Sequence, residues 1–329
     1  MGLLVGLLVA GLLASSIILA TLAGAQTGTE TTTATTDTAN TQTSGTSSSS
    51  STKAAEAPVT YAVGVLHDTW IDTSRGRTLA VTIRYPIAGA SGAAERTNAP
   101  AASGTFPLVV FAHGYDVSAA TYAALEHELA AAGFIVAAPD FPLSSSAVSD
   151  APVRDIVAQA TDVSFLISTL LTPTTRPTPL ARVITATKKV AVVGHSDGAV
   201  TAAGVAYDSD YADARIGAAV ILSGGAFDFP GSWFSGANPA LLAIHGDADD
   251  VNPYASSSAL YAQDSGSKML VTVLGGSHLG PFTTDPVRPA ISALIADFLR
   301  VHLSGDRPAA SRLGADANVP GELALAASA

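Results

Sequence analysis

Between Pro58 and Ser304, short apolar runs alternate with segments whose apolar residues recur every three or four positions. The runs TLAVTIRYP (78–86), PLVVFAHG (107–114), FIVAAPD (134–140), KVAVVGHS (189–196), GAAVILSG (217–224), ALLAIHGD (240–247) and KMLVTVLGG (268–276) read as strands. Between them, Tyr122, Leu125 and Leu129 share one helical face that stops at Gly133. Ile156, Ala160, Val163, Ile167 and Leu170 mark a second helix ahead of the proline-rich break at 173–179. Further helices are expected from about Ala199, near 253–264, and over the stretch carrying Ile291, Leu294, Ile295, Phe298 and Leu299. Strands that are apolar at nearly every position must be covered on both sides. The pattern therefore predicts the α/β class, with a mostly parallel central sheet and helices on both faces.

The ends of the chain read differently. Residues 1–25 form an uncharged apolar stretch closing on Ala23-Gly24-Ala25, the small-x-small pattern of an export-signal cleavage site. It is also long enough to span a bilayer if retained, since about 20 residues suffice. Export, to the medium or to the cell surface, is expected either way, with membrane attachment only through this uncleaved segment. Residues 26–57 are dominated by Thr, Ser and Ala and predict a disordered linker. Residues 58–304 form the predicted catalytic domain. The tail 305–329 has a weak pattern, so it is either mobile or an extension packed on the domain. A net charge of −11 argues against nucleic acid as the partner. The absence of cysteine excludes disulfides, thiolate catalysis and cysteine metal sites. A monomer is expected.

The stretch GHSDG (194–198) carries the candidate chemistry. A serine between a strand and a helix, with a small residue two positions to either side, fits the strained turn that lifts a nucleophilic hydroxyl above a sheet. Gly194 and Gly198 supply the small positions around His195, Ser196 and Asp197. The backbone amide of Asp197 then sits at a helix N-terminus, where it can bind an oxyanion. A serine needs a base and the base an orienting acid, both expected after the serine in the chain. His67 and His113 come too early, His127 falls on the polar face of a helix, and His195 points away at the turn itself. His245 belongs to a strand end and His302 to the last helix. His278, in GGSHLGPF just beyond a predicted strand, remains. For the acid, HGDADDVNP (245–253) offers Asp247, Asp249 and Asp250, among which spacing alone does not choose; as a cation site the cluster lacks the spacing of a calcium loop.

Together VVFAHGY, GHSDG, HGDADDVNP and GGSH resemble the α/β-hydrolase superfamily. The likeness is to its bacterial secreted branch of dienelactone-hydrolase-like, platelet-activating-factor-acetylhydrolase-like and cutinase or polyester-hydrolase enzymes. It covers roughly Tyr61 to His302 and includes DTSRGRTLAVTIRYP, which resembles that branch's first hairpin. The resemblance implies Asp249 as the acid, three residues after Gly246 and four before Pro253, with Asp250 in reserve. It also implies a second oxyanion donor at Tyr115. Two departures stand out. Asp197 replaces the neutral residue often found after the serine, so its side chain must turn away or be paired. The cysteine-free chain also makes neither the polyester hydrolases' disulfide nor the cysteine nucleophile of dienelactone hydrolases.

The expectation is an exported serine hydrolase of carboxylic esters, with Ser196, His278 and Asp249 acting through an acyl-enzyme and no metal or organic cofactor. Small-molecule, lipid or polymeric esters are all compatible substrates. Lipid acetyl esters or amides are the alternative within catalysis, and a non-catalytic binding protein of the same fold is the alternative outside it. Phe141, Phe227, Phe229, Trp233 and Phe234 either line an apolar pocket or cap the core.

Overall fold

A computed structural model describes residues 58–185, 190–226 and 229–329. The expected export segment and linker, residues 1–57, and Phe227 lie outside the described residues. Among the described residues, no helix is long and apolar enough to cross a membrane.

The chain opens with the antiparallel hairpin β1 (Ala62–Asp72) and β2 (Arg77–Ile87), turned at Gly76 with φ +64°. The two-residue strand β3 (Arg96–Thr97) runs along its outer edge. Six parallel strands follow: β4 (Leu108–Ala112), β5 (Ile135–Asp140), β6 (Val190–His195), β7 (Ile216–Leu222), β8 (Ala240–Gly246) and β9 (Lys268–Val273). With a last strand, β10 (Leu323–Ser328), they form one sheet in the order β10-β9-β8-β7-β6-β4-β5-β2-β1-β3. The helices are α1 (Ala123–Ala131), α2 (Ile156–Leu171), α3 (Asp197–Tyr207), α4 (Tyr254–Gln263), the short α5 (Gly280–Thr283), α6 (Arg288–Ser304) and α7 (Arg307–Asp316).

Two cores separate by the period of two along each strand. Leu108, Val110, Val190 and Val192 face α2 and α3, while Val109, Phe111, Ala191 and Val193 face α1 and α6. This double burial explains why the sequence shows unbroken apolar runs rather than alternation. The order of the strands also fixes where a site can form. From β4 the chain moves to β5 on one side and then returns to place β6 on the other. The loops leaving β4 and β6 therefore diverge at a switch point, and the crevice between them is the expected ligand position in an open α/β sheet.

The tail is an extension of the domain. Gly305, at φ +66°, ends α6 in the left-handed conformation, and the Asp306 carboxylate caps α7 by accepting from the Ala309 amide at 3.0 Å. Arg312 then joins Asp297 of α6 (Nε–Oδ2 2.7 Å), and β10 pairs antiparallel with β9. Alanine-rich LALAAS carries little strand propensity, so it is the neighbouring β9 edge that makes it a strand. Leu323 is buried at the start of β10 among the residues that pack on α6. Leu323→Ala is expected to cost about 2–3 kcal/mol of unfolding free energy in a urea titration; a loss below about 0.5 kcal/mol would mean that the tail does not contribute to the fold.

Candidate active site

Strand β6 runs directly into α3 through Ser196, whose backbone sits at φ 56° and ψ −122°. That conformation is costly for a residue with a side chain and persists only where the surroundings enforce it. They do so here by backbone contact. A Cβ on Gly194 would stand 2.1 Å from the Gly198 carbonyl oxygen, and one on Gly198 would stand 2.1 Å from that of Ala112 in β4. The Ser196 amide donates to the Leu222 carbonyl at 3.0 Å, tying the turn to the end of β7.

The structure brings Ser196, His278 and Asp249 together. The Ser196 hydroxyl lies 3.0 Å from His278 Nε2, and His278 Nδ1 lies 2.8 Å from Asp249 Oδ2. With Nδ1–H donating to the carboxylate, Nε2 is left to accept from the serine. The Asp249 side chain is fully buried, and Oδ1 accepts from the amides of Val251 and Asn252, both at 2.9 Å. Burial pushes its carboxyl up, but the bonds from His278 and those two amides outweigh it and hold the carboxyl below its usual value. Asp250 is exposed beside it. Asp247 is also exposed and accepts from the Gly275 amide at 2.6 Å, bracing the loop that carries His278. Among the described residues, no group of three or more His, Cys, Asp or Glu side chains is arranged to hold a metal.

The loop after β4 lies alongside. A Cβ on Gly114 would meet the Ser196 Cβ at 3.3 Å, so this loop and the serine turn touch. Tyr115 follows, with its ring partly exposed and its hydroxyl donating to the Pro152 carbonyl at 2.7 Å. Asp197 is the first residue of α3, where amides have no intrahelical acceptor. Its carboxylate is paired: Arg154 Nε approaches Oδ2 at 3.1 Å.

Sequence reasoning missed a supporting layer under His278. His195 points away from the serine but is not idle. Its ring is buried, lies 4.7 Å from the His278 ring centre to centre, and donates from Nε2 to the His278 carbonyl at 2.8 Å. That leaves Nδ1 to accept from the Tyr122 hydroxyl at 2.7 Å, and that hydroxyl accepts from the Gly114 amide at 3.3 Å. A chain of bonds thus links the β4 loop to the loop holding His278. On the far side of Asp249, buried His245 Nε2 stands 3.3 Å from Oδ2. No spacing rule announces either histidine; only the strand ends on which they sit place them near the site.

The aromatic alternatives resolve toward packing. Phe141 is fully buried against His113, Phe229 packs on Gly204 and Tyr211, and Phe234 lies against Tyr207. Trp233 is packed on the same core. The cavity beside the site is instead small, about 120 Å³, and lined by Arg154, Asp197, Val200, Gly225, Asn252 and Ser256 among others. Arg154 and Ile156 also border an open groove of about 710 Å³.

The model of the chlorophyllase family matches residues 91–223, a span that holds Tyr115 and Ser196 but stops short of Asp249 and His278. Among solved structures, a ferulic acid esterase from Streptomyces cinnamoneus superposes with a TM-score of 0.60. Identity is 22%, over 83% of this chain and 99% of the other. The chain has the α/β-hydrolase fold. Neither match singles out a branch among the enzymes of this fold, and no curated protein matches the chain. Within the α/β-hydrolase fold, the strand-to-helix turn of this chain carries Ser196, and the loops after β8 and β9 carry Asp249 and His278.

Burial lowers His195 to about 3, so it stays neutral while an unfolded chain takes up a proton near 6.5. The folded state binds fewer protons, and stability is lost as pH falls below about 6.5 toward 3. This histidine alone is expected to remove about 2–3 kcal/mol between pH 7 and 4.5. His195→Asn should flatten that part of the pH–stability curve in denaturant titrations. An unchanged slope would show that the imidazole protonates freely in the fold.

Proposed function

We propose that this chain is a serine hydrolase of carboxylic esters. The observation that carries the reading is the unbroken run of contacts from the strained Ser196 through His278 to buried Asp249. In this reading His278 Nε2 takes the serine proton as Ser196 Oγ attacks the ester carbonyl. The amides of Tyr115 and Asp197 receive the oxyanion, each donor contributing typically about 3–4 kcal/mol at the transition state. The protonated imidazole, held by Asp249, then delivers its proton to the departing alcohol. Water activated by the same nitrogen releases the acid and restores the serine. The low proton affinity of Asp249 supports its role, since a carboxylate that stays charged stabilises the imidazolium without taking its proton.

An ester rather than an amide is supported by the ferulic acid esterase neighbour and the chlorophyllase-family match. The small cavity against Asp197 favours a short acyl group, and the open groove beyond Arg154 leaves room for a bulkier alcohol or a polymer chain. The apolar, uncharged residues 1–25 support action outside the cytoplasm, as an exported enzyme or one held at the membrane.

Ser196→Ala is expected to lower kcat/KM on p-nitrophenyl butyrate at least about 10³-fold, since nucleophile, base and acid act as a unit. Asp249→Asn should be far more damaging than Asp250→Asn, which should stay within about twofold of the wild type. Activity surviving Ser196→Ala would reject the mechanism; the reverse order of the two aspartates would move the acid.

A further inference from the structure

The segment 152–154 touches both residues whose amides are assigned to the oxyanion. The Pro152 carbonyl accepts from the Tyr115 hydroxyl at 2.7 Å. Two residues on, the Arg154 guanidinium lies 5.5 Å from the centre of the Tyr115 ring, and its Nε stands 3.1 Å from Asp197 Oδ2. The segment is itself anchored, with the Val153 amide donating to the Leu143 carbonyl at 2.7 Å.

Asp197 poses an electrostatic problem that this arrangement answers. Its amide opens α3, where the partial positive charge of the helix end favours a developing anion. Its own carboxylate, on the same residue and largely shielded from water, opposes that anion. Burial pushes the carboxyl above its ordinary value, while Arg154 and, when protonated, His278 act to keep it charged. Asp197 Oδ2 has no aligned hydrogen bond of its own. What Arg154 supplies at 3.1 Å is therefore chiefly charge.

Resting on the reading of Ser196 as the nucleophile, we propose that Arg154 is a positioning residue of the oxyanion site: it neutralises the Asp197 carboxylate beside the developing negative charge, from a place beside the Tyr115 ring. It touches no reacting atom. It acts through Asp197, whose amide does. The guanidinium is 62% exposed on its side chain, so the fold does not depend on it, and solvent tempers its effect.

The test is steady-state kinetics on p-nitrophenyl butyrate at pH 8 with the wild type, Arg154→Gln, Arg154→Lys, Asp197→Asn and the double variant Arg154→Gln/Asp197→Asn. Arg154→Gln is expected to lower kcat about five- to tenfold with KM changed less than about twofold. Arg154→Lys, which keeps the charge, should retain at least about half of kcat. On the Asp197→Asn background, whatever its own rate, Arg154→Gln should change kcat by less than about twofold, because the charge needing compensation is gone. A kcat for Arg154→Gln within about twofold of the wild type would overturn the proposal. So would a loss on the Asp197→Asn background equal to that on the wild type, since a merely structural contact acts whether or not the charge is present. A wild type without turnover rejects the hydrolase reading and this inference with it; an active wild type beside an unaffected Arg154→Gln rejects the inference alone.

Discussion

The passage from β6 into α3 is so tightly wound on itself, and so close to β4, that a methyl group fits at neither end of the turn. Everything at the candidate site depends on that backbone approach. It forces Ser196 into a positive φ, fixes the direction of its hydroxyl and exposes the Asp197 amide at the head of a helix. It also sets the neighbouring β4 loop against the serine, because β4 and β6 are paired through Ala112 and Gly194. Strain at such a position is sustained by the surrounding sheet, which is buried on both faces and deforms little.

Around that turn the ionisable groups are sorted by environment. Asp249 accepts three hydrogen bonds and stays charged despite burial. His195 sits in nearly the same region without a carboxylate hydrogen-bonded to its ring and stays neutral. In the proposed mechanism one histidine is the base, while the other is a fixed dipole that orients it through its backbone carbonyl. The charge of Asp197 is the exception in this scheme, and Arg154 is the residue that meets it.

Much of this was legible in the sequence because strand and helix leave different periods. The seven apolar runs and the faces of α1, α2 and α6 appear where the spacing places them. Helix α3 begins two residues earlier than its apolar pattern, since Asp197 and Gly198 are chosen for the turn rather than for packing. The tail was ambiguous because β10 and α7 take their stability from β9 and Asp297, not from their own composition. Ser196 and His278 followed from motif and chain order, whereas choosing Asp249 over its neighbours needed a family likeness. In three dimensions the difference between the aspartates is plain, as one is buried on a histidine and two are exposed. Arg154 and His195 had no sequence signal. Their roles arise from contacts between segments far apart in the chain.

The central claim is that Ser196, of all the serines in this chain, is the activated one. Treating the folded protein with a fluorophosphonate and mapping the adduct by peptide mass spectrometry tests it most directly. The account predicts one equivalent of label, on Ser196, lost when the protein is unfolded before treatment. Label on another serine, or none on a correctly folded chain, would contradict it.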